Sequence, residues 1–334
     1  EKRGGTPVLM TANAAAWWDE ENNCFMESRK DYADPTREIA EETGCKFIDE
    51  NKIVTDAWNS MSKNRVLSGY FICEPLESKA YPSGTNDTTH MKAKGAKRVA
   101  KLIADAIPEN VPELAKYLKG DETFTDIQGH WAEDVIKTLA ENDKVSGVGD
   151  GKFNPDGTVT RAEFLKMAMD SLGIVGHAYR DGECLDATND DWYCYYLQGA
   201  LDKDIIPKEM IENCNVTKVT KTLAEATDDK EAVTTDVNVY TGKFDGDKPI
   251  TREEMAAIAV RCKNYKMRRL TDWDNERRYP IFSFKDSDEI DEKYISDVVE
   301  AYNLNYIDGM EDGRFAPKEN LTRAQAAVVM NNLK

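Results

Sequence analysis

The sequence predicts a multidomain chain: a truncated α/β segment at the N-terminus, followed by a mostly α-helical assembly of three repeated units. Two observations carry this reading. The stretch Gly151-Lys152-Phe153, followed by Thr160-Arg161-Ala162-Glu163, returns as Gly242-Lys243-Phe244 with Thr251-Arg252-Glu253-Glu254. It returns again as Gly313-Arg314-Phe315 with Thr322-Arg323-Ala324-Gln325, and Phe to Thr is seven residues each time. Self-similarity at fixed spacing sets an architecture before any single motif does. Ahead of the repeats, two short apolar runs flank one helix-like stretch, which is the pattern of a parallel α/β layer.

In the N-terminal part, residues 7–11 (Pro-Val-Leu-Met-Thr) read as a short buried strand. Residues 31–43 open with acids and Pro35 and read as a helix stopped by Gly44. Residues 45–49 form a second strand, 50–66 a second helix, and 67–86, with Pro75, Pro82 and Gly84, a loop. Val99, Leu102, Ile103, Ala106 and Ile107 then mark one face of a helix. Asp87 and His90 stand on the loop before it. At this spacing a carboxylate reaches the imidazole Nδ1 locally, which fixes the tautomer and stabilises the charged ring, as the acid of a catalytic triad does. Taken alone, the pattern also fits a turn and a helix cap. Residues 109–122 read as an amphipathic linker.

The repeats occupy 123–175, 180–263 and 281–334, with a linker at 264–280. In each, Thr-x-x-Glu/Gln before an apolar run is a capping box: the Thr hydroxyl and the third helical residue satisfy each other's backbone N–H groups. Upstream halves precede each copy: Asp126 and Trp131, then Asp186 and Trp192, then Asp286 with Lys293-Tyr294. Asp to Thr is 34 residues in the first copy (126 to 160) and 36 in the third (286 to 322), but 65 in the second (186 to 251). The second copy therefore carries an insertion near 208–240. Arg161, Arg252 and Arg323 fall in the first helical turn, where a cation costs roughly 0.3–1 kcal/mol against the helix dipole. Either a nearby carboxylate pairs with each, or an anionic ligand is held by guanidinium and helix N–H groups together. The dipole argument favours the ligand.

A net charge of −18 argues against nucleic acid or an anionic membrane as partner, since both need basic surface. The basic cluster Lys266, Arg268 and Arg269 reads as part of a solvated linker. No run approaches eighteen apolar residues, so no membrane span is expected. The chain opens on Glu1 rather than Met, which reads as a cut chain and makes the lack of a signal peptide uninformative. The seven cysteines include no C-x-x-C, so zinc spacing is absent and no metal or cofactor is called for. Cys184, Cys194, Cys214 and Cys262 lie in the second repeat, where disulfides and free thiols are both open readings. A calcium-loop reading of Asp150 to Arg161 fails, because Lys152 and Arg161 stand where ligand oxygens are needed.

The three repeats resemble S-layer homology domains, whose pattern is F-x-D, W-A, a helix, G-x-F-x-P and T-R-A-E. That resemblance covers roughly 124–334 and implies a pseudo-threefold assembly. It implies binding of an anionic, pyruvylated secondary cell-wall polysaccharide in grooves between units, with the peptidoglycan sacculus as the partner surface. Carried over residue by residue, the implied ligand-binding residues are Asp126, Trp131 and Arg161, then Asp186, Trp192 and Arg252, then Asp286 and Arg323. The third unit has Lys293 where Trp is expected, and the second lacks the Pro after its Gly-Lys-Phe. Residues 1–108, with D-x-T-H-x-x-x-x-G-A at 87–96, resemble the C-terminal half of an SGNH/GDSL hydrolase of the rhamnogalacturonan-acetylesterase-like group, a flavodoxin-like three-layer fold. This implies His90 as general base, Asp87 as its partner, and an acetylated plant-type polysaccharide as substrate class. The Ser nucleophile and oxyanion donors it also implies are expected ahead of residue 1, so no esterase activity is expected from these residues alone.

Two functions follow from the resemblances. One is a carbohydrate esterase held at the wall of a Gram-positive-type bacterium by its repeats, outside the cell. The other is a non-catalytic surface or S-layer protein with a hydrolase remnant. A Gly-Asp-Ser block upstream discriminates between them.

Overall fold

Short strands and amphipathic helices alternate in the first part of the chain, and helices separated by tight loops fill the second. The computed structural model describes residues 5–78, 80–81, 83–118, 124–141, 144–177, 184–188, 190–224, 232–268 and 284–333. The chain divides into two compact units, Glu1–Asp121 and Glu122–Lys334.

In the first unit, β1 (Val8–Met10) is followed by a two-residue-per-strand hairpin, β2 (Trp18–Asp19) and β3 (Cys24–Phe25). Then come α1 (Lys30–Thr43), β4 (Lys46–Ile48), α2 (Glu50–Asn59), α3 (Lys63–Val66), α4 (Ala93–Asn110) and α5 (Pro112–Ala115). The strands β1 and β4 pair in parallel, Leu9 opposite Phe47, as the strand–helix–strand spacing predicts. Gly44 ends α1 at φ 64°, a left-handed geometry that glycine adopts without a Cβ penalty. Two expectations are corrected. Val8 and Met10 are exposed rather than buried (37% and 47%), and only Leu9 between them is partly buried in this two-stranded sheet. The helix expected over 50–66 breaks at Ser60–Ser62, and the supposed loop that follows begins with a π-helical turn, Leu67–Phe71. That turn delivers Tyr70 and Phe71 to the core, where Trp58 stacks on Tyr70 at 5.1 Å. The helix α4 crosses the same turn at Gly95, where an added Cβ would lie 2.8 Å from the Tyr70 carbonyl.

The second unit begins with α6 (Glu133–Glu141) and α7 (Arg161–Leu172), then α8 (Cys194–Asp202). The hairpin β5 (Glu212–Ala224) and β6 (Val233–Lys243) follows, then α9 (Arg252–Arg268), α10 (Ile295–Asn303) and α11 (Arg323–Asn332). The insertion expected near 208–240 is thus an antiparallel hairpin. Both Thr160 and Thr322 close capping boxes with Glu163 and Gln325, and Thr251 with Glu254 makes the same reciprocal pair. All seven cysteines are free thiols.

A ring of backbone bonds ties the three repeats together. Val159 N–H donates to the Leu321 carbonyl (3.0 Å), Leu321 N–H to Ile250 (3.1 Å), and Ile250 N–H to Val159 (3.0 Å). Each repeat therefore gives one bond and takes one, and the cycle closes. The three side chains are buried, as are Phe153, Phe244 and Phe315 at 0% exposure. Burying a side chain of this size stabilises by roughly 1.5–3 kcal/mol, so the invariant Phe of each repeat is a core anchor.

Candidate functional site

In the first unit the Asp87–His90 loop is built by local hydrogen bonds. Asp87 Oδ1 accepts from the backbone N–H groups of Thr89 (2.7 Å) and His90 (2.9 Å), and Oδ2 meets His90 Nδ1 at 2.7 Å. The backbone N–H of His90, then its ring and the Thr89 N–H, hold the Asp87 carboxyl at about 2. A carboxylate on Nδ1 favours a proton there and leaves Nε2 as the ring nitrogen that faces outward. The ring itself is 82% exposed. From the other side, Ala16 N–H donates to the Thr88 carbonyl (2.8 Å), which sets the Ala14–Trp17 segment beside the histidine loop. That segment is anchored in turn: Ala15 N–H donates to Ser28 Oγ, and Asn51 Nδ2 donates to the carbonyls of Ala12 and Ser28. Neither Ser28 nor Asn51 stood out in the sequence, since a lone buried polar residue leaves no periodic signal.

In the second unit the repeats meet head to tail. The first-turn N–H groups of each long helix donate to carbonyls of the next repeat's loop: Arg161 and Ala162 to Lys248 and Gly246, Arg252 and Glu253 to Glu319 and Pro317, Arg323 and Ala324 to Gly157 and Pro155. The three guanidiniums, each on a residue 7% exposed, follow the same path. They lie over Phe244 (5.9 Å), Phe315 (5.1 Å) and Phe153 (4.8 Å) and donate to the carbonyls of those same residues. Arg252 and Arg323 each give a further bond to a turn carbonyl, Asp308 (2.8 Å) and Ser146 (3.0 Å). Arg161 instead forks onto Glu254, with Nε to Oε2 at 3.1 Å and Nη2 to Oε1. Burial pulls Arg252 and Arg323 below the ordinary arginine value.

Asp126, Asp186 and Asp286 serve the loops of their own repeats. Each carboxylate accepts from two successive backbone N–H groups, those of Phe153 and Asn154, Phe244 and Asp245, Phe315 and Ala316, at 2.7–2.9 Å. Asn154, Asp245 and Ala316 all have φ near +55°, so the carboxylate clamps a strained turn and compensates its cost of about 1 kcal/mol or more.

Trp131 and Trp192 stand at the surface, 67% and 51% exposed. Trp131 and Arg252 line one cavity of about 590 Å³, together with Tyr306, Met310 and Gln325. Trp192 and Arg323 line a second of about 360 Å³, with Lys144, Val148 and Glu163. Each cavity thus joins a side chain from all three repeats: the aromatic from one, the arginine from the next, the glycine turn from the third. Tyr294, in the third repeat, is buried at 1%.

Residues 123–165 and 283–327, in the first and third repeats, match the S-layer homology domain family. The chain is 34% identical over 213 residues to an amylopullulanase of Thermoanaerobacterium thermosulfurigenes, covering 64% of this chain and 10% of that protein. It is 33% identical over 103 residues to a cellulosome-anchoring protein of Acetivibrio thermocellus, covering 29% and 21%. A rhamnogalacturonan acetylesterase of Bacillus subtilis is 31% identical over 111 residues, 32% of this chain and 46% of the enzyme. The chain therefore spans less than half the length of these relatives. Over about a third of its length the chain is similar to rhamnogalacturonan acetylesterases, and over residues 123–165 and 283–327 it is similar to S-layer homology domains.

Proposed function

We propose that this chain anchors a carbohydrate-active protein at the bacterial cell surface. Residues 122–334 bind an anionic secondary wall polysaccharide, with a carboxylate-bearing sugar such as a pyruvylated one as the recognised unit. The observation that supports this most is the pairing of an exposed tryptophan with a buried arginine in each of two cavities, Trp131 with Arg252 and Trp192 with Arg323. The flat apolar face of a sugar suits an indole, and a fixed guanidinium suits a carboxylate. Asp126, Asp186 and Asp286 act by holding the loops that frame the cavities. S-layer homology domains and a relative named for anchoring place the chain at the cell surface, and we extend this to the wall of a Gram-positive-type cell.

In the same reading, residues 1–121 are the C-terminal half of an SGNH-type acetylesterase domain. His90 Nε2 would take the proton of an attacking serine hydroxyl, and Asp87 would hold the imidazolium that results. No serine of this unit lies in a Gly-Asp-Ser block, so the nucleophile and its oxyanion donors are not supplied by these residues.

The test is co-sedimentation of the full chain with purified sacculi, comparing the native protein with Trp131→Ala, Trp192→Ala and the double variant. The reading expects each single change to weaken retention and the double change to abolish it, with circular dichroism unchanged because both side chains are exposed. Full retention by the double variant would sink it.

A further inference from the structure

Repeat symmetry calls for three equivalent grooves, yet the third station is built differently, and we propose that it is closed by the protein's own side chains. This rests on the wall-polymer reading above and sharpens it: two grooves take the acidic sugar, and the third is an internal latch.

Four features converge there. First, the turn that supplies a carbonyl to the arginine has changed. Ser146-Gly147 and Asp308-Gly309 are matched in the second repeat by Pro207-Lys208. The Ile205, Lys144 and Tyr306 N–H groups mark the register, donating to the carbonyls of Ala200, Leu139 and Ala301. At Gly147 and Gly309 an added Cβ would lie 2.6 Å from a ring carbon of Phe124 or Phe284, so the tight glycine turn requires glycine. With Lys208 in that place the chain forms a 3₁₀ turn, Lys208–Met210, and leads into the β5–β6 hairpin. The Pro207 carbonyl accepts from Met210 N–H instead.

Second, Arg161 has lost that carbonyl and turns both Nε and Nη2 to Glu254. Both side chains are only 8% exposed. With Nη1 given to the Phe244 carbonyl, all three guanidinium nitrogens of Arg161 are bonded, and an internal carboxylate neutralises the charge that an acidic sugar would need. At the other two stations the Nε and Nη2 groups are held by backbone carbonyls, which leave the guanidinium charge uncancelled. Glu163 stands 3.9 Å from Arg323 Nη1, and the residue matching Glu254 across from Arg252 is Gln325, which carries no charge. Among the described residues Arg252 has no carboxylate within ion-pair distance.

Third, Lys293 replaces the tryptophan. Its Nζ donates to the Glu209 carbonyl (3.2 Å), so it bridges the third repeat to the 3₁₀ turn of the second. Fourth, the neighbouring Tyr294, buried beneath, offers no open ring face.

The test is titration calorimetry of the full chain with short fragments of acid-released wall polysaccharide, one acidic sugar per fragment. The expected stoichiometry is two per chain. Trp131→Ala and Trp192→Ala should each lower it to one, and Lys293→Ala, an exposed position, should leave it at two. A stoichiometry of three, or the loss of a site in Lys293→Ala, overturns the latch while leaving the wall-polymer reading intact. No heat at all with native protein removes the wall-polymer reading and the latch with it.

Discussion

Replacing Arg161 with methionine isolates what the internal ion pair does for the fold. The change keeps the apolar stem over Phe244 but removes two bonds to Glu254 and one to the Phe244 carbonyl. Glu254 is then left at 8% side-chain exposure with no cation beside it. Stranding one member of a buried pair costs roughly 3–5 kcal/mol, mostly the penalty on the charge that remains. That is about a hundred- to several-thousand-fold in the opening equilibrium. The assay is native-state hydrogen exchange by mass spectrometry, read on peptides from α7 and α9, so that the first unit does not enter the measurement. The double variant Arg161→Met with Glu254→Gln should recover a large part of the loss. Gln325 shows that glutamine serves the cap equally well in α11, and neighbouring groups couple by roughly 0.5–3 kcal/mol. If Arg161→Met changes protection by less than about 1 kcal/mol, or if the double variant is no better than the single one, the reasoning about a stranded charge is wrong.

Two further outcomes follow for the first unit. Gly95→Ala should destabilise it by about 1–3 kcal/mol, seen as a lowered urea midpoint by tryptophan fluorescence, since Cβ would press on the Tyr70 carbonyl and overpacking has that cost. The Asp87 carboxyl should titrate at about 2 rather than at its ordinary 3.8 in a carboxyl-carbon NMR titration. Because its folded value is depressed, the ordering of residues 85–92 by Asp87 is present above the ordinary value and is lost as the pH falls through 2. In Asp87→Asn this acid-dependent loosening should vanish, and its persistence would assign it to another group.

Much of the second unit was legible in the sequence because its information is periodic. Three copies of Phe-x₆-Thr-Arg fix the buried rings, the caps and the order of the helices, and the 65-residue interval in the second copy located the hairpin. The partners of the arginines were not legible, because Glu254 reads as a cap residue and its second role spans repeats 93 positions apart. The helix N–H groups that a dipole argument leaves free for an anion are occupied by carbonyls of the neighbouring loop. Only the closed ring of repeats brings those carbonyls there. In the first unit, Asp87 and His90 were found by a local spacing, and local geometry suffices to join them. The π-helical turn at Leu67–Phe71 was missed because Leu-Ser-Gly-Tyr-Phe has neither helical nor strand periodicity, and burial of Tyr70 and Phe71 decides its shape. The buried Ser28–Asn51 anchor was missed for the same reason: its bonds cross 23 residues and its residue types mark turns as often as cores.

The central proposal is tested most directly by whether a wall polysaccharide holds this chain. Purified sacculi, intact or stripped of their secondary polysaccharide by mild acid, are incubated with the full chain and sedimented. The account predicts retention on intact sacculi and release into the supernatant with stripped ones. Equal retention on both would assign binding to the peptidoglycan itself, and no retention on either would leave the tryptophan–arginine cavities without the ligand proposed for them; both results contradict the account.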